Sequence, residues 1–599
     1  MVVGPRQEGE SIERGLAARP GPRWDRVDRF EDAGLRALVA TYDTVDLDAG
    51  QPGLVVDGDA VLAFDGFLTN YEELVALTGA GFGESQLRLV ARVLRRYGED
   101  APSFLEGDFA LVAYDRTSGV IFAAVDPFAN HTLYHARDGA RLAIASEPRA
   151  CRRALGLPLR PDLGTAVNAI AGYPVTRSSS LYEGVAHLAG GTAITWRGEA
   201  AHTRTTFAPE PSFDRRDHAR TSLDRVEHAL TRSVRQRIPR SGRVGILASG
   251  GLDSTVITAL ATNACRALGR PDPVLFHFSA AGHVADESAL AQRLANTLGL
   301  EIFVFDLQEQ WQPGSPDLHD FAGVSSIVYR DMYRRASSLG IRVMLTGEGS
   351  DDPQSRTSFE CEDAVVRRDW PSVARFAGLA TRPLAYASWR KLARAIADPL
   401  LPRKLSAKRG WSRFVAKLPP WLSQHGVELI RSSVDERERF ERAIPHQSPH
   451  RQVVCANLTF APGLTIGSQI ANSFAVEHGV ELRHPFLESQ VVALLLRLPT
   501  ERLHAFGQTK PFTRALAGRL VPADLAWRRP PTDYTMFHRG SFSTPSRWRE
   551  YLSGGRLIGT GLVTPELLDG LEGERELTME EQLCVLCEDW LNSLADPED

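Results

Sequence analysis

Two kinds of hydrophobic pattern divide this chain. From residue 51 to about 200, apolar residues come in short β-branched and aromatic runs. VVDGDAVLAFDG, GDFALVAYD, VIFAAVDP and TAITWRG are broken by Gly, Asp and Asn, which predicts strands. Helical spacing appears between them in ESQLRLVARVLRRYG. Strands with an inserted helix predict an antiparallel α+β domain. Residues 1–50 carry only a weak pattern. Residues 201–220, AHTRTTFAPEPSFDRRDHAR, are polar, hold two prolines and lack any period, so they read as a linker. TSLDRVEHALTRSVRQRI then predicts an amphipathic helix. RVGILAS, PVLFHFS, EIFVFDL and IRVMLTG follow as four buried-strand candidates separated by helical segments. That alternation predicts a parallel sheet with helices on both faces. Residues 360–450 are rich in Arg and Trp and read as a helical elaboration. The expected organisation is an α+β domain over 1–210 and an α/β domain over 220–599.

Composition narrows the class. Of 599 residues, 43% are hydrophobic and 24% charged, a globular balance that excludes disordered and fibrous chains. A net charge of −5 argues against a nucleic-acid partner. No apolar run approaches the ~18 residues of a membrane span. The segment MVVGPRQEGESIERG lacks a charged-then-apolar secretory pattern, so the expected location is cytoplasmic. Six cysteines are no disulfide framework; Cys584 and Cys587 lie in EEQLCVLCEDWL, a predicted helix with no second pair at zinc spacing, and read as core. The chain has five lysines (391, 404, 408, 417 and 510) among 69 basic residues. A lysine kept at a chemical position is therefore conspicuous.

The sharpest chemical signal is Ser249-Gly250-Gly251-Leu252-Asp253-Ser254, between the strand RVGILA and the helix STVITALATNACRAL. Two glycines allow a tight turn and close backbone approach. A helix N-terminus adds free amides and a positive dipole end, together a cradle for phosphate. No Gly-Lys-Ser/Thr occurs in the chain, so this is not a Walker A loop. A plain turn with Asp253 or Ser254 as N-cap is the bland alternative. A second motif, Thr346-Gly347-Glu348-Gly349-Ser350-Asp351-Asp352, follows IRVML at the carboxyl edge of the same sheet, where open α/β sheets bind ligands.

The first string resembles the pyrophosphate loop of the ATP pyrophosphatase superfamily. With the second it is similar to the synthetase domain of the asparagine synthetase family. That resemblance implies ATP and Mg²⁺, with Asp253 and Asp351 holding the metal, as its few hard oxygen ligands require. It implies nucleotide contacts from Leu247, Ser249, Gly250, Gly251, Asp253, Ser254, Ser279 and Gly347. Glu481-Leu482-Arg483-His484-Pro485-Phe486-Leu487-Glu488 resembles the family's E-x-R-x-PFLD element. GQTKPFTRALAGRLVPADLAWRRP resembles its catalytic-lysine segment, which makes Lys510 the catalytic lysine. Glu348, in the second motif beside the expected adenylate, is the candidate to take a proton from the attacking amine; a structural carboxylate paired to an arginine is the alternative.

N-terminally, LAFDGFLTNYEEL, FLEGDFALVAYD and LYEGVAHLAGG are similar to the family's amidotransferase domain. Glutamine-hydrolysing members need a cysteine after the initiator Met; here residue 2 is Val2 and the first cysteine is Cys151. Their NGE element reads Asp65-Gly66-Phe67. An aspartate repels an oxyanion, and Phe67 cannot pair with an ammonium through charge. The RGPD element is absent. The expectation is a degenerate amidotransferase fold, without glutaminase chemistry, that supports the synthetase domain. The amine then comes from elsewhere, as in β-lactam synthetases and lasso-peptide cyclases. HPFLE and the Arg-rich insertion resemble the cyclases, and Glu348 replaces the tyrosine of β-lactam synthetases. GVSSIVYRDMYRRA lacks the aspartate-specific TIRAS-like string. The expected substrate is a precursor peptide, with a leader-peptide protease and a leader-binding protein as possible partners. The alternatives are an amide ligase on a small natural-product substrate and an inactive nucleotide-binding scaffold.

Overall fold

The computed structural model describes residues 1–3, 25–32, 34–41, 53–172, 178–208, 219–281, 286–306, 326–354, 359–374, 393, 396–397, 411–412, 414–444, 449–460, 468–498, 510–527, 545–571 and 577–594. In its N-terminal part every strand pair is antiparallel. One sheet holds β1 (Val2–Val3), β2 (Arg26–Glu31), β3 (Leu35–Thr41), β8 (Tyr134–Asp138), β9 (Arg141–Ala145) and β10 (Val185–His187). The second holds β4 (Leu54–Asp57), β5 (Ala60–Leu68), β6 (Gly107–Asp115), β7 (Ile121–Val125), β11 (Thr192–Arg197) and β12 (Ala200–Thr205).

Period-2 alternation explains how these sheets pack. On β6, Ala110, Val112 and Tyr114 enter the core between the two sheets. Phe109 and Leu111 point the other way, into a core shared with the helices Tyr71–Thr78 and Gln86–Tyr97. GDFALVAYD is therefore buried on both faces. Two expectations change here. The weakly patterned start forms β2 and β3, and the expected linker opens with β12, a polar edge strand paired along its length to β11. Residues 209–218 of that linker lie outside the described residues.

The C-terminal part is built on five parallel strands: β13 (Val244–Leu247), β14 (Val274–Ser279), β15 (Glu301–Asp306), β16 (Val343–Leu345) and β17 (Glu481–Arg483). Their order is β15-β14-β13-β16-β17. The four expected strands are present, and β17, three residues long, is an addition. Val244, Ile246, Val343 and Leu345 pack on one side with the helices Ala219–Arg237, Leu252–Ala267 and Pro511–Leu520. Phe276 and Met344 pack on the other with Met332 and Tyr333 of the helix Ser326–Ser338. Burial on both faces is why these strands read as unbroken apolar runs. The second of those cores also takes in Tyr134, Ala166 and Val167 from the N-terminal part, so apolar packing is continuous between the two parts. Of residues 360–450, the described ones are mainly helical, including Gln424–Ala443. Cys584 and Cys587 are buried free thiols in the helix Met579–Ser593, and burial pushes both far above the usual thiol range. Among the described residues no helix is long and apolar enough to cross a membrane.

Candidate active site

Strand β13 ends at Leu247 and β14 at Ser279, so both residues lie at the carboxyl edge beside the loop 248–251. The helix begins earlier than expected. Gly251 is its N-cap and Leu252 its first residue, which puts Asp253 inside the first turn rather than at the cap. No side chain caps this helix, so amides of the first turn stay available to an anion. Ser249 and Ser254 brace the turn. Ser249 Oγ accepts from Gly251 N–H at 3.1 Å, and the two hydroxyls lie 3.1 Å apart. Gly250 has φ +80°, and a Cβ there would lie 2.7 Å from Glu287 Cβ. Only glycine meets both demands.

The second motif docks on the first. A Cβ on Gly347 would lie 2.9 Å from the amide nitrogen of Ser254, so this residue is glycine because two backbones meet. Ser350 Oγ donates to Asp253 Oδ1 at 2.6 Å. Gln354 donates to Ser350 Oγ at 2.9 Å and accepts from Thr513 Oγ1 at 2.8 Å. Asp253, Ser350, Gln354 and Thr513 thus tie both loops to the helix Pro511–Leu520. Sequence reasoning did not single out Ser350, Gln354 or Thr513. A hydroxyl or amide has many ordinary uses, and only its partners reveal this one.

Lys510 is the N-cap of that last helix, at φ +49°. Its ammonium bonds to Asp253 and lies 2.5 Å from Asp351 Oδ1. The three residues are brought together from positions as far as 257 apart in the chain. Burial alone would lower the lysine's pKa, but the two carboxylates outweigh it and hold it above the ordinary value. The ammonium is therefore firmly charged in this arrangement, not a ready proton donor. Burial also pushes the Asp253 acid up; Lys510 opposes this and Asp351 adds to it. Mg²⁺ takes a few hard carboxylate oxygens and lets phosphates complete its shell. Two carboxylates converging on one cationic point fit that requirement. Among the described residues, no cluster of three or more His, Cys, Asp or Glu side chains offers a fuller metal cage.

Glu348 stands slightly apart, its side chain 42% exposed and its carboxylate 3.4 Å from His484 Nδ1. Thr346 Oγ1 lies 2.7 Å from the same nitrogen and accepts from the Glu348 amide at 3.2 Å. An aromatic wall rises from the helix Ser326–Ser338. The ring of Tyr329 meets Phe278 edge-on at 4.8 Å and stacks toward Tyr333 at 6.1 Å. Burial, with the Glu348 charge added, raises the Tyr329 hydroxyl to about 12. His484 and Tyr329 were also missed as site residues, because their roles come from neighbours rather than from a pattern.

The element Asp65-Gly66-Phe67 lies where the N-terminal part meets the C-terminal one. Asp65 pairs with His131 at 3.3 Å. Phe67 lies under the guanidinium groups of Arg483, at 4.0 Å, and Arg237, at 5.5 Å.

A family model described as asparagine synthase matches residues 225–591, and one described as a glutamine amidotransferase domain matches 34–207. The amidase chyE of Penicillium rubens is 23% identical over 473 residues, covering 72% of this chain and 68% of its own. A putative glutamine-hydrolyzing asparagine synthetase of Mycobacterium tuberculosis is 24% identical over 556 residues, covering 84% of this chain and 77% of its own. The glutamine-hydrolyzing asparagine synthetase 1 of Bacillus subtilis is 23% identical over 504 residues, covering 80% and 76%. The first model spans more than half of the chain, on the very strands and loops that bring Asp253, Asp351 and Lys510 together; the chain belongs to the asparagine synthase family and is an ATP-dependent, amide-forming ligase.

Proposed function

We propose that this ligase closes a peptide on itself, as a lasso-peptide cyclase joining the N-terminal amine of a precursor peptide to an Asp or Glu side chain. The observation that carries this reading is the state of the element Asp65-Gly66-Phe67. Asp65 is paired to His131, and Phe67 is buried under two arginines. Neither side chain offers a glutamine amine its carboxylate or an oxyanion its donor. The amine then arrives with the substrate. A peptide carries both the amine and the carboxylate, so holding its two ends together supplies much of the rate. A leader-peptide protease and a leader-binding protein are the partners this reading implies.

The peptide carboxylate is activated as an acyl-adenylate with release of pyrophosphate, and the amine then displaces AMP. Backbone amides of 250–254 receive the phosphates at the helix N-terminus. Asp253 and Asp351 would hold Mg²⁺, which supplies neutralising charge on the pyrophosphate when bound. Lys510, charged and beside both carboxylates, stabilises negative charge developing near the α-phosphate. Glu348 takes the proton from the attacking ammonium, which must be neutral to react.

Incubating the protein with Mg-ATP and peptides bearing a free N-terminus and an internal Asp or Glu tests the reading. The expected products are AMP, pyrophosphate and a protease-resistant peptide one water lighter. Incorporation of free ammonia, or joining of two separate molecules, would replace the cyclase with an intermolecular ligase. With Glu348→Gln, cyclisation should fall by roughly 100-fold while ATP–pyrophosphate exchange continues. Full cyclisation with a lowered melting temperature would make Glu348 a structural carboxylate.

A further inference from the structure

We propose that Phe67 is a positioning residue for the ligase motif Thr346–Asp351, acting through the side chain and backbone of Arg483. The proposal concerns the ligase shared by the whole family and does not depend on which carboxylate or amine it joins.

The path is continuous. Phe67 sits on β5, 5% exposed, opposite Asp108 on β6. Its ring carries the Arg483 guanidinium at 4.0 Å and that of Arg237 at 5.5 Å. Cation–π attraction strengthens when both partners are removed from water, and both arginines are almost wholly buried. Two cations on one ring need counter-charge. Arg237 has Asp108 at 2.9 Å and Glu488 at 2.6 Å, and Arg483 has Glu481 at 2.9 Å. Arg483 also donates to the backbone carbonyl of Arg237 at 3.1 Å. The cluster is therefore one unit built from both parts of the chain.

The same segment carries the motif. Arg483 O accepts from Thr346 N–H at 3.1 Å. Thr346 Oγ1 in turn meets His484 and the Glu348 amide. At the far end of the motif Gly349 packs against Leu487, with no room for a side chain between them. Residues 483–487 thus support Thr346, Glu348 and Gly349 from beneath, and Phe67 holds the first of them from the N-terminal part. In this chain the segment that resembles a glutamine-binding element braces the ligase motif instead.

The chemistry separates a π-face contact from simple bulk. Leucine fills space but has no quadrupole; tyrosine keeps the face. Amide hydrogen exchange on the full chain is the readout, since it needs no substrate. In Phe67→Leu, the Thr346 and Glu348 amides should exchange at least ~10-fold faster while β5 and β6 amides keep their rates. Phe67→Tyr should match the parent, and Arg483→Lys, which keeps charge but loses the planar group, should match Phe67→Leu. If leucine prevents folding, Phe67→Met replaces it. Faster exchange in β5 and β6 alone, or equal behaviour of the leucine and tyrosine variants, would make Phe67 core filling and overturn the proposal.

Discussion

Among the described residues, the charged cluster where the two parts of the chain meet and the one around Lys510 are finished differently. Around Phe67, charges are met by protein. Asp126 accepts from the amides of Phe109, Phe128, Asn130 and His131, and Asp108 and Glu488 enclose Arg237, while Asp65, beside His131, is the solvent-facing member of the set. Around Lys510, two carboxylates converge on one ammonium, and the Asp351 side chain is 77% exposed. An enclosed network spends its charge on holding a shape, whereas one open to solvent keeps charge available for a ligand. By this measure the first cluster is architectural and the second is the candidate for chemistry.

The sharpest way to break that contrast is to alter the open cluster. Lys510→Ala, Lys510→Arg and Asp253→Asn should each lower turnover by at least ~100-fold, the order for losing one charge-stabilising group. Their effects should not multiply when combined, because the residues act as a unit. Affinity for ATP should change far less in the lysine variants. Single-turnover kinetics with calorimetric ATP titration checks both points. An arginine variant with near-parental turnover would reduce Lys510 to a replaceable charge.

In the enclosed cluster the large effect should be on stability. Arg237→Met removes the cation from Asp108 and Glu488 and leaves two buried carboxylates without it. Losing one partner of a buried pair costs about 3–5 kcal/mol, readable by denaturant unfolding. A change below ~1 kcal/mol would show the pair to be as weak as a surface one.

The smallest effect is a pH dependence. Burial alone would lower the His131 pKa, but Asp65 outweighs it and holds it at about 9, against roughly 6.5 for an unfolded histidine. A raised folded value adds stability that is complete below about pH 6.5 and is lost as pH rises through about 9. The melting temperature should fall by roughly 2–4 °C over that window. His131→Gln should flatten the slope. An equal slope in the variant would assign the titration to another group.

Much of this was legible in the sequence where one face or both faces of an element must be apolar. The buried strands β13, β14 and β16 and the doubly buried β6 announce themselves. The edge strand β12, AAHTRT, and β2, RVDRFE, do not, because an edge strand takes its register from its neighbour's hydrogen bonds rather than from an apolar stripe. Strand β17 is three residues long, too short to show any period. In the site, Asp253, Asp351 and Lys510 stood out through motif resemblance, and the structure brings them into contact. His484, Ser350, Gln354 and Thr513 matter through partners that only the fold supplies. The helix start was misjudged for a related reason. Gly251 caps without a side chain, so no cap residue marked it.

Arg237 also bears on how such a protein can change over evolutionary time. It belongs to the helix Ala219–Arg237 of the ligase half, yet one of its two counter-ions, Asp108, is lent by the other half. Deleting the N-terminal half would bare Arg237 and Arg483 together and remove the ring they share. A shortened gene would then have to replace a counter-ion and an aromatic face at once, and each intermediate would carry a stranded charge. Such interlocking lets a half drift in its own chemistry while selection keeps it in place.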